Sequence, residues 1–139
     1  MEEIRTKLIK AAIAARENAY APYSDYMVGA ALLCDDGDII TGCNVENASY
    51  GATNCAERTA VFKAVSEGKR RFRAIAIAGG KCGAQQLDMA YPCGVCRQVL
   101  REFCVPSEMT VIVCRSVDDY REMTLEELLP DSFGPNNLI

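Results

Sequence analysis

Cys55-Ala56-Glu57 and Pro92-Cys93-Gly94-Val95-Cys96 are the two segments around which this chain of 139 residues is organised. Together they contain three thiols and one carboxylate, and each stands at the start of a predicted helix. A Cys-x-x-Cys pair at a helix start places two sulfur atoms near one point, and Zn²⁺ takes thiolate ligands at about 2.3 Å. We therefore expect the two helix starts to meet and to bind one zinc ion through Cys55, Cys93 and Cys96.

The charge of such a site needs compensation. A helix start carries roughly half a positive charge and lowers the pKa of a thiol placed there. Three thiolate ligands would leave the fourth tetrahedral position open, which is typical of a catalytic zinc site, but they also outweigh the charge of the ion. Arg58 is the better candidate for a compensating cation and Arg97 the weaker one. The alternative for either arginine is a solvated helix surface.

Glu57 lies two residues after Cys55, in the first turn of its helix. Both side chains can lean over the open helix end there, so that Glu57 reaches the fourth ligand without binding the metal itself. A carboxylate in that position can take a proton from a water and hand it to a substrate. The alternative role is a first-turn acid that complements the helix dipole.

A lone Cys-x-x-Cys leaves two rival interpretations open. One is a thioredoxin-like redox pair, favoured by a βαβ setting. The other is a closed structural zinc site in which Cys82, on a flexible loop, is the fourth ligand. The remaining four cysteines are predicted to be structural, because free cysteine is a good small core residue. They are Cys34, Cys43, Cys104 and Cys114.

Composition narrows the function classes. The chain has no histidine, which excludes Ser-His-Asp and Cys-His catalysis and every histidine metal ligand. The net charge of −4 argues against a phosphate-backbone partner. No apolar run is long enough for a membrane span, and the first residues lack the form of a signal peptide. We therefore expect a cytoplasmic protein with no nucleic-acid or membrane partner.

The length of the chain suits one domain over residues 1–139, and hydrophobic patterns predict its helices and strands. Helices are expected over 2–19, 55–67 and 93–104, with a short fourth helix after a capping-box pattern at Thr124. Strands are expected over 27–34, 39–43, 72–78, 109–114 and 120–123. This order predicts a three-layer α/β/α fold with one mixed sheet of about five strands. The first two strands form an antiparallel hairpin, and strands separated by helices run parallel.

The two motifs resemble those of the small, tetrameric, three-cysteine cytidine deaminases, and the resemblance covers nearly the whole chain. Several further segments match in the same order, which makes the resemblance highly specific. They are Tyr20-Ala21-Pro22-Tyr23-Ser24, Val28-Gly29-Ala30-Ala31, Gly42-Cys43-Asn44-Val45-Glu46-Asn47 and Glu126-Glu127-Leu128-Leu129-Pro130.

The resemblance implies a hydrolase of pyrimidine salvage that converts cytidine and deoxycytidine to uridine and deoxyuridine plus ammonia. Cys55, Cys93 and Cys96 would bind one Zn²⁺ per chain. Glu57 would protonate ring nitrogen N3 and shuttle protons as zinc hydroxide attacks C4. Arg58 would hydrogen-bond the thiolates and offset their charge.

The resemblance also implies the substrate contacts. Asn44 and Glu46 would hold the ribose hydroxyl, and the backbone of Ala56 would contact the pyrimidine ring. Three aromatic side chains would wall the pocket of a homotetramer with shared active sites: Tyr26, and from neighbouring subunits Tyr50 and Phe133. From the residues alone, Asn44 and Glu46 leave a strand end at i and i+2, pointing one way, with turn chemistry as the alternative. For Phe133 the alternative is a tail tucked against its own chain.

Three features depart from the family pattern. The loop over 79–91 looks several residues longer than usual, Tyr26 stands where phenylalanine is common, and Tyr91 stands where a small residue usually precedes Pro-Cys. These departures concern the pocket shape and leave the chemistry unchanged. Two other functions stay open: a related deaminase of a cytosine-bearing antibiotic such as blasticidin S, and a non-enzymatic structural zinc protein.

Overall fold

The structure is a computed structural model that describes residues 2–139. Its helices and strands alternate along the chain as the sequence predicts. The helices are α1 (Glu2–Arg16), α2 (Ala56–Ser66), α3 (Gly94–Arg101) and α4 (Leu125–Leu128). The strands are β1 (Tyr26–Cys34), β2 (Ile39–Cys43), β3 (Phe72–Lys81), β4 (Thr110–Ser116) and β5 (Asp119–Thr124). Short 3₁₀ helices cover Tyr50–Ala52 and Pro135–Asn137.

The five strands form one mixed sheet in the order β2-β1-β3-β4-β5. β1 pairs antiparallel with β2 on one side and with β3 on the other. β3 runs parallel to β4, which pairs antiparallel with β5. The predicted mixed sheet is confirmed. β2 and β3 therefore point the same way with β1 between them, so α2 and α3, which follow these strands, begin at the same edge of the sheet.

Helices cover both faces of the sheet, because successive residues of a strand point to opposite sides. On one face Leu32, Ile75 and Val111 are buried together with Val61 of α2 and Leu100 of α3. The opposite face carries a second core, formed with α1. Its buried members include Leu8, Ile9, Ala12, Ala31, Ala76 and Ile112. The predicted three layers are therefore present.

Three element ends differ from the sequence expectation by three residues. α3 ends at Arg101 rather than at residue 104, because Glu102 and Phe103 donate to carbonyl oxygens three residues earlier, in a tighter turn. α1 ends at Arg16 rather than at residue 19, because the backbone N–H groups of residues 17–19 donate to carbonyl oxygens three residues earlier, in a tighter turn. The buried Arg16 guanidinium lies against the ends of two strands. It donates to the carbonyl oxygens of Met27 at 3.0 Å, Gly80 at 2.8 Å and Lys81 at 2.7 Å. β3 continues to Lys81 rather than to residue 78, because its last three residues still pair with β1. At the other end of the chain the capping box at Thr124 is present.

Gly29 lets α1 lie directly on β1. A Cβ atom at this position would stand 2.1 Å from the carbonyl oxygen of Ala12 and 2.4 Å from the backbone nitrogen of Arg16. Both atoms belong to the helix backbone, which cannot rotate away as a side chain does. The close contact between helix and sheet therefore depends on the absence of a side chain here. No helix within residues 2–139 is long and apolar enough to cross a membrane.

Gly29→Ala is expected to destabilise the fold by about 3 kcal/mol, because overpacking against backbone forces α1 off the sheet. Urea denaturation followed by circular dichroism measures the change. Gly51→Ala is the control, since a Cβ atom at Gly51 would meet no atom within 4 Å. Equal stabilities of the two variants would contradict the packing argument.

Candidate metal centre and active site

Cys55 and Cys93 occupy equivalent positions at the starts of α2 and α3. Each is the N-cap residue of its helix, with extended backbone and no hydrogen bond from its thiol to the helix. N-cap positions are usually taken by Ser, Thr, Asp or Asn, whose oxygen accepts from a free backbone N–H. Because cysteine does not cap here, both thiols can face each other across the edge of the sheet where the two helices begin.

The three thiols form one compact group. The Sγ atom of Cys93 lies 4.0 Å from that of Cys55 and 3.5 Å from that of Cys96, and all three lie within 4.8 Å of one another. Tetrahedral zinc with bonds of about 2.3 Å would hold its sulfur ligands roughly 3.8 Å apart. The three cysteines therefore fit a zinc ion without rearrangement.

Cys82 lies outside this group. In residues 2–139 the cluster of potential metal ligands consists of the three cysteines alone. Cys82 is exposed in the turn after β3, where its backbone N–H donates to the carbonyl oxygen of Asp25 at 2.9 Å. The closed four-cysteine site is therefore not formed. Three of the cysteines predicted to be structural are buried, and Cys43 is partly buried.

Arg58 and Arg97 have different partners. Arg58 donates from Nη2 to the Sγ atom of Cys55 at 3.2 Å, and its buried Nε has no hydrogen-bond partner. The thiol of Cys96 and the guanidinium of Arg58 lower the pKa of Cys55 to about 5. Arg97 instead donates to the carbonyl oxygens of Pro92 and Leu128, both at 2.8 Å. Arg58 thus stabilises a thiolate, whereas Arg97 holds the backbone around the second motif.

Glu57 is almost completely buried, with 4% of its surface exposed, and lies beside the thiols. Burial raises the pKa of its carboxyl group to about 7. Its carboxylate does not belong to the group of potential ligand atoms. The structure thus brings a buried acid next to the thiols without making it a fourth ligand, which is the arrangement that proton transfer requires.

A cavity of about 280 Å³ opens over Cys55, Cys93 and Glu57. We call it the active-site cavity. Its other lining residues come from β1, β3, the first residue of α2 and the loops before α2 and α3: Tyr26, Val28, Asn44, Thr53, Asn54, Ala56, Ile77, Ala90 and Tyr91. Sequence reasoning did not identify Val28, Thr53, Asn54, Ile77 or Ala90 as site residues. Val28 carried a signal as part of a matching segment, and Thr53 and Asn54 carried one through their position just before Cys55.

A larger cavity, of about 510 Å³, lies elsewhere in the molecule. It is lined by residues at the starts of β3 and β4, such as Phe72 and Thr110, and contains none of the three clustered thiols. Within residues 2–139, its charged lining residues do not form a group of potential metal ligands, whereas the smaller cavity combines clustered thiols with a buried carboxylate. The smaller cavity is therefore the better candidate for an active site.

Asn44 and Glu46 hold two different segments beside the site. The buried Asn44 accepts from the backbone N–H of Val28 and donates to the carbonyl oxygen of Tyr26, both at 2.8 Å. Glu46 accepts from the backbone N–H groups of Tyr23 at 2.9 Å and Ser24 at 3.1 Å, and from the Ser24 hydroxyl. Asn44 lines the active-site cavity, whereas Glu46 lines an adjoining cavity that shares Thr53 with it. The spacing of Asn44 and Glu46 predicts that both side chains point into one space. In the structure they line two adjoining cavities instead.

Tyr50 and Phe133 are exposed, with 74% and 58% of their surfaces accessible. Tyr50 lines the adjoining cavity, with its ring centroid 6.0 Å from that of Tyr23. The backbone oxygen of Phe133 accepts from Gln98 of α3 at 2.9 Å. Phe133 does not line the active-site cavity of its own chain. The segment around it is held against α3, since Arg101 also donates to Ser132 at 2.8 Å and to Asn136 at 2.7 Å. The backbone of the tail is thus tucked against its own chain, while the role of the exposed ring in a partner subunit stays a prediction.

Comparisons with known proteins agree with this arrangement. Residues 2–113 match the family model of the cytidine and deoxycytidylate deaminase zinc-binding region. The cytidine deaminase of Halalkalibacterium halodurans is 54% identical over 134 residues, covering 96% of this chain and 97% of that protein. That of Sporosarcina psychrophila is 50% identical over 132 residues, covering 95% and 93%. The crystal structure of cytidine deaminase from Burkholderia pseudomallei superposes with a TM-score of 0.81 at 50% identity, covering 91% of this chain and 97% of that chain.

Proposed function

The chain belongs to the cytidine and deoxycytidylate deaminase family, and we propose that it hydrolyses cytidine and deoxycytidine to uridine and deoxyuridine plus ammonia. The observation that carries the proposal is the meeting of three thiols and one buried, non-ligating carboxylate in a single cavity. The redox interpretation of Cys93 and Cys96 leaves Cys55, Glu57 and Arg58 without a role, whereas hydrolytic deamination uses all five residues.

The three cysteines would hold Zn²⁺, which when bound supplies Lewis acidity and lowers the pKa of a water molecule. Arg58 would keep Cys55 in its thiolate form through the hydrogen bond at 3.2 Å. Glu57 would accept a proton from the attacking water and deliver it to N3 of the ring. It would then carry the second proton of that water to the 4-amino group, so that ammonia leaves.

Asn44 and Glu46 are proposed to bind the ribose. An asparagine amide offers two donors and two acceptor lone pairs, and Asn44 uses one of each on the β1 backbone. One donor and one acceptor therefore stay available for a sugar hydroxyl. A carboxylate can accept about four hydrogen bonds. Glu46 accepts three from residues 23 and 24, so that about one position stays available for a sugar hydroxyl. The pyrimidine would contact the backbone of Ala56 and the ring of Tyr26.

The quaternary structure is proposed to be a homotetramer with shared active sites. Tyr50 and Phe133 are large, exposed aromatic residues that have no core role in their own chain. Each would complete the cavity of a neighbouring subunit. We treat residues 1–139 as one cytidine deaminase-like domain, since both cores share one sheet. A cytoplasmic location and a place in pyrimidine salvage stay predictions, the former supported by eight free cysteines.

A deaminase assay tests the proposal directly. The wild-type chain, with its zinc content measured first, is mixed with cytidine or deoxycytidine, and the loss of absorbance of the cytosine ring is followed. We expect loss with both nucleosides and release of one ammonia for each uracil ring formed. A chain that contains zinc and leaves both nucleosides unchanged would refute the function.

A further inference from the structure

Gly79, near the end of β3, lies directly behind the active-site cavity. It pairs with Val28 in the antiparallel ladder between β1 and β3. A Cβ atom at Gly79 would stand 2.7 Å from the Cβ of Ala90, 3.2 Å from a ring carbon of Tyr26 and 3.2 Å from a methyl group of Val28. All three neighbours line the active-site cavity. The empty space at Gly79 is therefore where three cavity-lining residues come together.

The loop after β3 folds back over this position. The backbone N–H of Asp88 donates to the carbonyl oxygen of Gly79 at 2.8 Å, and the two residues form an isolated antiparallel bridge. This bridge directs the chain from Asp88 so that Ala90 reaches the back of the cavity beside Tyr26. The loop thus has a fixed attachment to β3 at Gly79, a residue without a side chain that could push the loop away.

Asp88 also faces the Tyr26 hydroxyl. Burial and the nearby Asp88 carboxylate raise the pKa of that hydroxyl. The loop therefore lies near Tyr26 at two places: the Asp88 carboxylate is close to the hydroxyl, and Ala90 and the Tyr26 ring both border the space above Gly79.

We propose that Gly79 is a positioning residue for the nucleoside, because its missing side chain lets the loop segment 87–91 set Ala90 and the Tyr26 ring at the distance that fits the pyrimidine. The inference rests on the proposed function. Gly79 touches no reacting group, so that its effect is exerted through these two neighbours. A side chain at this position would press Ala90 and Tyr26 into the cavity and narrow it, while the thiols and Glu57 on α2 and α3 keep their positions.

Gly79→Ala is expected to raise KM for cytidine by about fivefold to tenfold, because the added methyl overpacks the back of the cavity. The turnover number kcat is expected to stay within about twofold, since no catalytic group moves. Zinc content stays that of the wild type. A merely structural role would instead lower the thermal midpoint and the fraction of active protein without a selective change in KM.

Gly80→Ala is the matched control. A Cβ atom at Gly80 would stand 3.1 Å and 3.3 Å from Leu87 and 3.7 Å from the nitrogen of Asp88. It would press on the same loop from the neighbouring residue of the same strand, but it meets no residue of the active-site cavity. We expect a smaller loss of stability than that of Gly79→Ala and a rise in KM of less than about twofold, because the added methyl reaches Ala90 and Tyr26 only indirectly through Leu87.

A rescue variant makes the inference specific. Ala90→Gly removes the atom closest to the new methyl, so the double variant Gly79→Ala/Ala90→Gly moves one methyl group from the loop to the strand. We expect it to recover most of the wild-type KM, which is the non-additivity typical of residues in contact. Two results would overturn the inference while the wild type still deaminates cytidine and the proposed function stands. One is a wild-type KM for Gly79→Ala, and the other is a double variant that recovers no KM. Inactivity of the wild type would instead refute the function.

Discussion

Glu57→Gln is expected to lower kcat for cytidine by about 10²-fold to 10⁴-fold, the usual loss when a general acid–base is removed. Glutamine keeps the size and shape of the side chain, so the buried position on the first turn of α2 stays filled. An amide cannot accept the proton of the attacking water or return it to the ring. Zinc content should stay that of the wild type, because the Glu57 carboxylate lies outside the thiol group.

The alternative role of Glu57, a partner of the helix dipole, predicts a different result. Loss of a first-turn acid costs about 0.3–1 kcal/mol of stability and does not affect turnover. Glu126→Gln is the matched control, since Glu126 is a first-turn acid of α4 and is exposed. Steady-state kinetics and thermal denaturation of both variants separate the two roles. Turnover of Glu57→Gln near the wild-type rate would show that Glu57 is only a structural acid.

Cys93→Ser is expected to reduce zinc affinity by more than about 100-fold, because even the loss of an outer-shell partner costs roughly 10–100-fold. The fold itself should tolerate the change. Cys93 is exposed and occupies the N-cap of α3, a position that serine suits well. Metal analysis after dialysis against a weak chelator measures the loss, and deaminase activity is expected to fall with the zinc content.

Cys82→Ser is the matched control for this experiment. Cys82 is also an exposed free cysteine, but it lies outside the thiol cluster. We expect the variant to keep zinc and activity at the wild-type level. Loss of zinc from Cys82→Ser would mean that the loop closes the fourth coordination position, and the site would then be structural.

Local sequence patterns predicted much of the fold. Short apolar runs bounded by turn residues located the five strands, and Thr124 with Glu127 located the start of α4 through a capping box that forms as expected. The end of α1 was missed by three residues because residues 17–19 continue as a turn with hydrogen bonds three rather than four residues apart. Such a tightened last turn has the same apolar pattern as the helix before it.

Local sequence patterns predicted only part of the active site. The cysteines and Glu57 were identifiable because helix-start chemistry is local. The choice between Arg58 and Arg97 became definite only with their partners, the Cys55 thiol in one case and two backbone carbonyls in the other. The separation of Asn44 from Glu46 into adjoining cavities was not predictable from their spacing, because both lie beyond the end of β2 at Cys43, where strand alternation no longer applies.

The sequence by itself determined which groups carry the chemistry: three thiols and a carboxylate at two helix starts, in a chain without histidine. Only the tertiary structure decided that they meet. β2 and β3 point the same way with β1 between them, so the helices that follow begin at one edge of the sheet. Cys55 and Cys93, 38 residues apart, come within 4.0 Å for that reason. Strand order and direction depend on contacts between distant residues, whereas a helix start depends on its immediate neighbours.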